Sequence, residues 1–164
     1  MAPGLKRQFV SEEWPFMPKA LWDMSRQEAE DAIDRTVDFR ILASDIDGRV
    51  LRTARHNAKQ AGVEDFIAFQ TLPLNEVSSK KKYGCIITNP PYGERLGEQR
   101  EVEELYEEMG RICKNLDTWS FYILTPHKAF ERLFGRKADR KRKLYNGRIQ
   151  VDYYQFYGPR PPRR

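Results

Sequence analysis

Only two of the 164 residues are cysteines, Cys85 and Cys113, too few for a disulfide scaffold or a four-cysteine zinc site. That count fits a reducing, cytoplasmic setting. No apolar run approaches the ~18–20 residues that cross a bilayer, and the basic start around Lys6 and Arg7 lacks an apolar stretch of signal-peptide length. Membrane insertion and secretion are therefore not expected. Histidine is as scarce as cysteine: His56 and His127 have no partner at ligand spacing, so no metal site is expected. There is no internal repeat. What remains is 40% hydrophobic, 32% charged and 12% aromatic, enough apolar material for one folded domain and not for two.

Charge is unevenly placed. The last 38 residues, from His127 onward, carry 12 Lys and Arg against 3 acids, whereas the preceding 126 carry 17 against 21. The basic segment is interleaved with Tyr145, Tyr153, Tyr154, Phe156 and Tyr157. That mixture suits a polyanion whose bases can stack on rings, or else a solvated basic surface beside an ordinary strand. The chain closes on prolines and arginines over 159–164, a stretch that prolines keep out of regular structure.

Periodicity gives an alternation of strands and helices. Ser25 and Glu28 have the spacing of a capping box, predicting a helix from Ser25 to about Thr36. A strand over 39–43 precedes a helix capped by Asp47 and stopped by Gly62. Strands follow at 66–70 and 83–88. Val102, Leu105, Tyr106, Met109, Ile112, Cys113 and Leu116 then trace one face of a helix over 101–116. A strand over 119–124, a short helix over 127–134 and a hairpin turning on Asn146-Gly147 complete the chain. The pattern implies an α/β fold with a mostly parallel sheet and a C-terminal antiparallel hairpin. Ligands of such sheets sit beyond the carboxyl ends of strands, which singles out Asp45 and Asn89. Cys85 and Cys113 read as small core residues.

Asn89-Pro90-Pro91-Tyr92 suits chemistry on a nucleobase amine. Such an amine is a poor nucleophile because its lone pair is delocalised into the ring. The Asn89 side-chain carbonyl and the Pro90 main-chain carbonyl can each accept one N–H, aiming the lone pair at a methyl donor. Pro91 stiffens the loop, and Tyr92 offers a flat face to a base drawn from its stack. The same tetrapeptide could serve only to end a strand. Asp45 could accept both hydroxyls of a ribose, or could start the next helix together with Asp47.

The stretches Ala2-Pro3-Gly4-Leu5, Phe9-Val10-Ser11-Glu12-Glu13-Trp14-Pro15, Ser44-Asp45-Ile46-Asp47, Thr88-Asn89-Pro90-Pro91-Tyr92-Gly93-Glu94-Arg95-Leu96 and Leu144-Tyr145-Asn146-Gly147 together resemble the RNA methylase family that contains the THUMP-domain ribosomal RNA guanine-N2 methyltransferases. The resemblance runs over essentially the whole chain. It implies a Rossmann-like class I methyltransferase sheet and S-adenosylmethionine as donor. Asp45 would hold the donor's ribose and Ile46 its adenine, while Asn89, Pro90, Pro91 and Tyr92 would form the catalytic loop. The implied substrate is guanine N2 of 23S ribosomal RNA. Asn-Pro-Pro-Tyr is shared with adenine-N6 methyltransferases, which leaves that reaction as an alternative beside a catalytically silent RNA-binding module.

The family's first strand and glycine-rich loop have no counterpart here, and Gln70-Thr71 stands where related enzymes place an acid or amide near the adenine. The expected organisation is thus a partial methyltransferase domain over 1–158 with a basic, proline-rich tail over 159–164. It carries the further expectations that the isolated chain is a fragment, inactive by itself and weak in donor binding, and that its exposed sheet edges favour homo-association.

Overall fold

A computed structural model describes residues 4–5, 7–34, 36, 39–93 and 98–162. The chain forms two compact units, one ending at Thr71 and the other beginning at Leu72.

The first unit starts with a 3-10 turn, Val10–Glu13, in which the Phe9 N–H donates to the Glu12 carboxylate at 2.8 Å. Helix α1 spans Lys19–Asp31 and is preceded by Pro18. It therefore begins six residues earlier than the capping-box spacing at Ser25 predicts, and Ser25 lies inside it. Packing outweighs the local signal, because the earlier start brings Trp22 onto Phe9 at 5.5 Å between ring centroids and Arg26 onto Glu12. Strand β1, Ile41–Asp45, leads into helix α2, Gly48–Ala61. Asp47 caps α2 by accepting the Arg49 N–H at 2.8 Å, and Gly62 ends it with φ +72°, as the sequence predicts. Strand β2, Ile67–Thr71, pairs with β1 in parallel, from Ile41 opposite Ile67 to Asp45 opposite Thr71.

The second unit holds a four-stranded sheet. Strands β3 (Cys85–Thr88), β4 (Ser120–Thr125), β5 (Arg140–Asn146) and β6 (Ile149–Phe156) lie in the order β3-β4-β6-β5. The β3–β4 pair is parallel, and β6 runs antiparallel to both β4 and β5. Helices α3, Glu98–Asn115, and α4, Phe130–Phe134, cover one face. Val102, Tyr106, Met109, Ile112 and Cys113 of α3 enter one core with Phe121, Ile123, Phe130, Phe134, Tyr154 and Phe156, so the helical stripe read from sequence is the buried one. The helices meet at Gly110, where a Cβ would lie 2.2 Å from the Phe134 carbonyl oxygen. Only glycine permits that approach.

Two sequence expectations shift. The hairpin turns on Gly147-Arg148, since Asn146 is the last residue of β5 and pairs with Ile149. Gly147 alone takes the positive φ, +62°, as in a turn with glycine at its first central position. Cys113 is buried, but Cys85 is exposed, because it shares with Ile87, 75% exposed, the face of β3 opposite the one on which Ile86 packs against the core. Among the described residues, β1 pairs only with β2 and β3 only with β4, so each presents an unpaired edge.

Candidate active site

In the second unit the carboxyl ends of β3 and β4 lie at one end of the sheet, Thr88 opposite Ile123. Because β6 and β5 alternate in direction, Asp152 faces Thr125 and Asn146 faces Ile149 at that same end. The loop after β3 and the tip of the hairpin therefore converge. They form an open cleft of about 420 Å³ lined by Asn89 to Gly93, with Glu98 at the start of α3 and Asn146 at the end of β5. The continuation through Glu94, Arg95 and Leu96 lies outside the described residues, as do Ala2 and Pro3 at the chain start.

A relay of hydrogen bonds runs across this cleft. The Asn146 amide donates to the Tyr92 hydroxyl at 3.2 Å, and that hydroxyl donates to the Asn89 side-chain carbonyl at 2.8 Å. The Pro90 carbonyl accepts no hydrogen bond from any described residue, and the Pro91 carbonyl is taken by the Tyr106 hydroxyl at 3.1 Å. Tyr106 is fully buried, and its hydroxyl also meets Thr125 Oγ1 at 2.8 Å. With its one proton given to Pro91, it accepts the Thr125 proton. The His127 N–H in turn donates to Thr125 Oγ1 at 3.1 Å. Burial holds the Tyr106 phenol above its ordinary value, partly offset by its bond to Thr125, so it stays neutral and able to donate. The loop thus rests on a prop rising from the core.

Of the residues singled out from sequence, Asn89, Pro90, Pro91 and Tyr92 share this cleft. Three contributors were not recognised as such. Tyr106 reads as part of an apolar helix face and Thr125 falls just past the strand expected over 119–124, although a tyrosine in a buried stripe brings a hydroxyl that needs a partner. Asn146 read as a turn former, and only the strand register turns it into the cleft.

Asp45 and Ile46 belong to the first unit. Asp45 ends β1 and is half-buried; one carboxylate oxygen accepts the Asp47 N–H at 2.8 Å, and the other is unengaged by described residues. Ile46, next to it, is 74% exposed, an apolar surface large enough to lie against a flat ring. Asp47 is committed elsewhere, to the Arg49 N–H and guanidinium, which hold its carboxyl below the usual carboxylate range. Asp47 thus caps α2, while Asp45 accepts the Asp47 N–H with one oxygen and has the other unengaged by described residues. Among the described residues no cluster of His, Cys, Asp or Glu could hold a metal ion, and no helix is long and apolar enough to cross a membrane.

Strands joined through helices, with polar residues gathered at their carboxyl ends, are the general architecture of α/β proteins that bind ligands at that end of the sheet. The profile of UPF0020, the RMKL-like methyltransferase domain, matches residues 1–155, and the chain belongs to that family. It is 46% identical to YpsC of Bacillus subtilis over its whole length, covering 43% of that protein. It is 35% identical to the ribosomal RNA large subunit methyltransferase K/L of Legionella pneumophila over 94% of the chain, covering 22% of that protein. The crystal structure of SMU.472 in complex with SAH aligns with 98% of the chain and 43% of its own, at 46% identity and a TM-score of 0.90. The chain thus spans less than half the length of these relatives.

Proposed function

We propose that the chain serves in an S-adenosylmethionine-dependent methyltransferase that modifies the exocyclic N2 amine of a guanine in 23S ribosomal RNA. The relative named for large-subunit ribosomal RNA methylation supports the substrate class, and the neighbour holding SAH supports the donor. Residues 1–158 are read as part of one methyltransferase domain, with 159–164 as a basic tail. The observation that carries the reading is the acceptor pair at the cleft: a Pro90 carbonyl without a partner beside an Asn89 carbonyl held by one exchangeable hydroxyl.

The residues fit the roles. Asp45 has an unengaged oxygen for ribose hydroxyls, and exposed Ile46 offers a surface for adenine. The bound donor would supply an electrophilic methyl on a sulfonium. In the cleft, Asn89 and Pro90 each accept one amine N–H, which fixes the nitrogen and draws its lone pair out of conjugation with the ring, towards the methyl donor. Tyr92 backs the base with its ring, Pro91 limits the loop's freedom, and Tyr106 holds the loop at the Pro91 carbonyl. Preorganised acceptors of this kind contribute by being in place before the reaction begins. The unpaired edges of β1 and β3 support association of two copies, which light scattering would read as a dimer and which a monodisperse monomer would rule out.

The test is Asn89→Ala in the full-length protein with methyl-labelled donor and ribosomal RNA. Turnover is expected to fall by about 10²–10³, with RNA affinity nearly unchanged. Turnover close to the wild-type rate overturns the assignment of Asn89. Nucleoside analysis of the product separates N2-methylguanine from the adenine-N6 alternative, and methylation of neither base by the wild type would leave an RNA-binding module.

A further inference from the structure

Strand β5 is the outer edge of its sheet, paired only with β6 among the described residues, and begins with four successive cations, Arg140 to Lys143. Side chains alternate between the two faces of a strand, so these four divide. Lys141 and Lys143 share one face, where Lys141 lies over the Tyr154 ring at 5.2 Å and reaches Glu131 and Asp152 at 3.8 and 3.9 Å; Lys141 is engaged within the fold. Arg140 and Arg142 fall on the opposite face, are exposed, and make no ion pair among the described residues. Their row continues through Leu144, 43% exposed, and ends at Asn146, whose amide donates to Tyr92 inside the cleft.

We propose that the row Arg140–Arg142–Leu144–Asn146 is a docking track for the single-stranded RNA flanking the target nucleotide, with the two guanidinium groups on its phosphates. This rests on reading the Asn89 cleft as the base site. At ~3.3 Å per residue, Arg142 and Arg140 stand roughly 13 and 20 Å from Asn146 along the strand. That distance spans several nucleotides even of a stacked strand rising ~3.4 Å per base. A base leaving its stack to enter the cleft requires an unpaired or opened segment beside it, and planar, unneutralised guanidinium forks suit its phosphates better than a lysine already paired. Asn146 joins track and cleft, so RNA seated on β5 is delivered to the acceptor pair from a fixed direction.

A row of cations on an edge strand has another use, which is to prevent edge-to-edge pairing with other chains. The two uses differ in the sign of charge they need: a guard works equally well with carboxylates, and a phosphate track does not. The test is the double variant Arg140→Glu/Arg142→Glu of the full-length protein, with Arg140→Gln/Arg142→Gln beside it. The probes are a fluorescein-labelled single-stranded RNA of about a dozen nucleotides with one central guanine, and a trinucleotide centred on guanine. For the long probe, the Glu variant is expected to bind on the order of tenfold more weakly and the Gln variant to fall between. The slope of log affinity against log salt should shrink by about 1.4 in the Gln variant, or ~0.7 for each lost phosphate contact. Trinucleotide binding should be unchanged. Equal long-probe affinity and salt slope in wild type and both variants overturns the track. If instead the wild type methylates no RNA, the reading of the cleft fails, whatever the variants bind.

Discussion

The two units present the same kind of element, a parallel strand pair with helical connections, and differ in how much they bury. Among the described residues, the first unit buries only Leu51 and Ala58, and leaves Ile41, Leu42 and Ile46 about half or more exposed. The second closes a continuous aromatic and aliphatic core under its sheet, reaching from Val102 to Phe156. The residues proposed to hold the base stand on that packed unit, propped by a buried tyrosine. Those proposed to hold the donor stand at a strand end on the sparsely packed one. Burial of apolar area is the main source of stability, so the contrast concerns the order in which the two halves lose structure.

Hydrogen exchange tests it most directly. Amides paired in β4 and β6 should exchange at least ~100-fold more slowly than those in β1 and β2, as expected of cooperative units of unequal stability. Equal protection would break the comparison. Next in size is Gly110→Ala, which sets a methyl against the Phe134 carbonyl and should destabilise the second unit by about 1–3 kcal/mol in chemical denaturation. An unshifted midpoint would mean that α3 and α4 are not in such close contact.

Tyr154 sharpens the same point through pH. Burial, with Asp152 and Glu131 close by, pushes its phenol up to about 12, above the ~10 of an unfolded tyrosine. The native state therefore holds this proton more tightly. The resulting stability is complete below pH ~10 and is lost as pH rises through about 12. Urea midpoints at pH 9 and 11 should diverge in the wild type and much less in Tyr154→Phe.

Smaller still is the contribution of Asn146. Asn146→Ala should slow turnover a few-fold, equivalent to about 1 kcal/mol of hydrogen bonding. The effect should vanish in a Tyr92→Phe background if the amide acts through that hydroxyl; a loss that persists would assign Asn146 to the hairpin alone. The smallest change is expected in the first unit, where Arg26→Ala removes the partly exposed pair with Glu12 and should leave the urea midpoint nearly unmoved. A larger loss would mean that this unit relies on ion pairing in place of a core.

The elements legible in the sequence were those whose signals are local. The apolar spacing of α3, the Asp47 cap and Gly62 stop of α2, and the Asn-Pro-Pro-Tyr loop after a strand all needed no knowledge of distant partners. Ser25 misled because a capping pattern is a weak preference that the Phe9–Trp22 stack outweighs. The turn shifted by one residue because Asn-Gly and Gly-Arg are both admissible dipeptides and pairing between β5 and β6 decides between them. The same register put Asn146 in the cleft. No linear pattern could indicate this, because the contact spans 54 positions to Tyr92. The hidden role of Tyr106 has the same origin, since its partners Pro91 and Thr125 come from the ends of two different strands.

The hydroxyl of Tyr92 resting on the Asn89 carbonyl means that, of the two acceptors proposed for the base, one is already occupied before anything arrives. An incoming amino group would exchange one donor for another and gain its advantage from the second carbonyl next door. A pyrimidine or purine bearing only an oxygen at that position would have no proton to offer in exchange and would leave the Tyr92–Asn89 bond in place. Under the proposed function, selection against bases without an amine would begin in the unliganded state, ahead of any reaction.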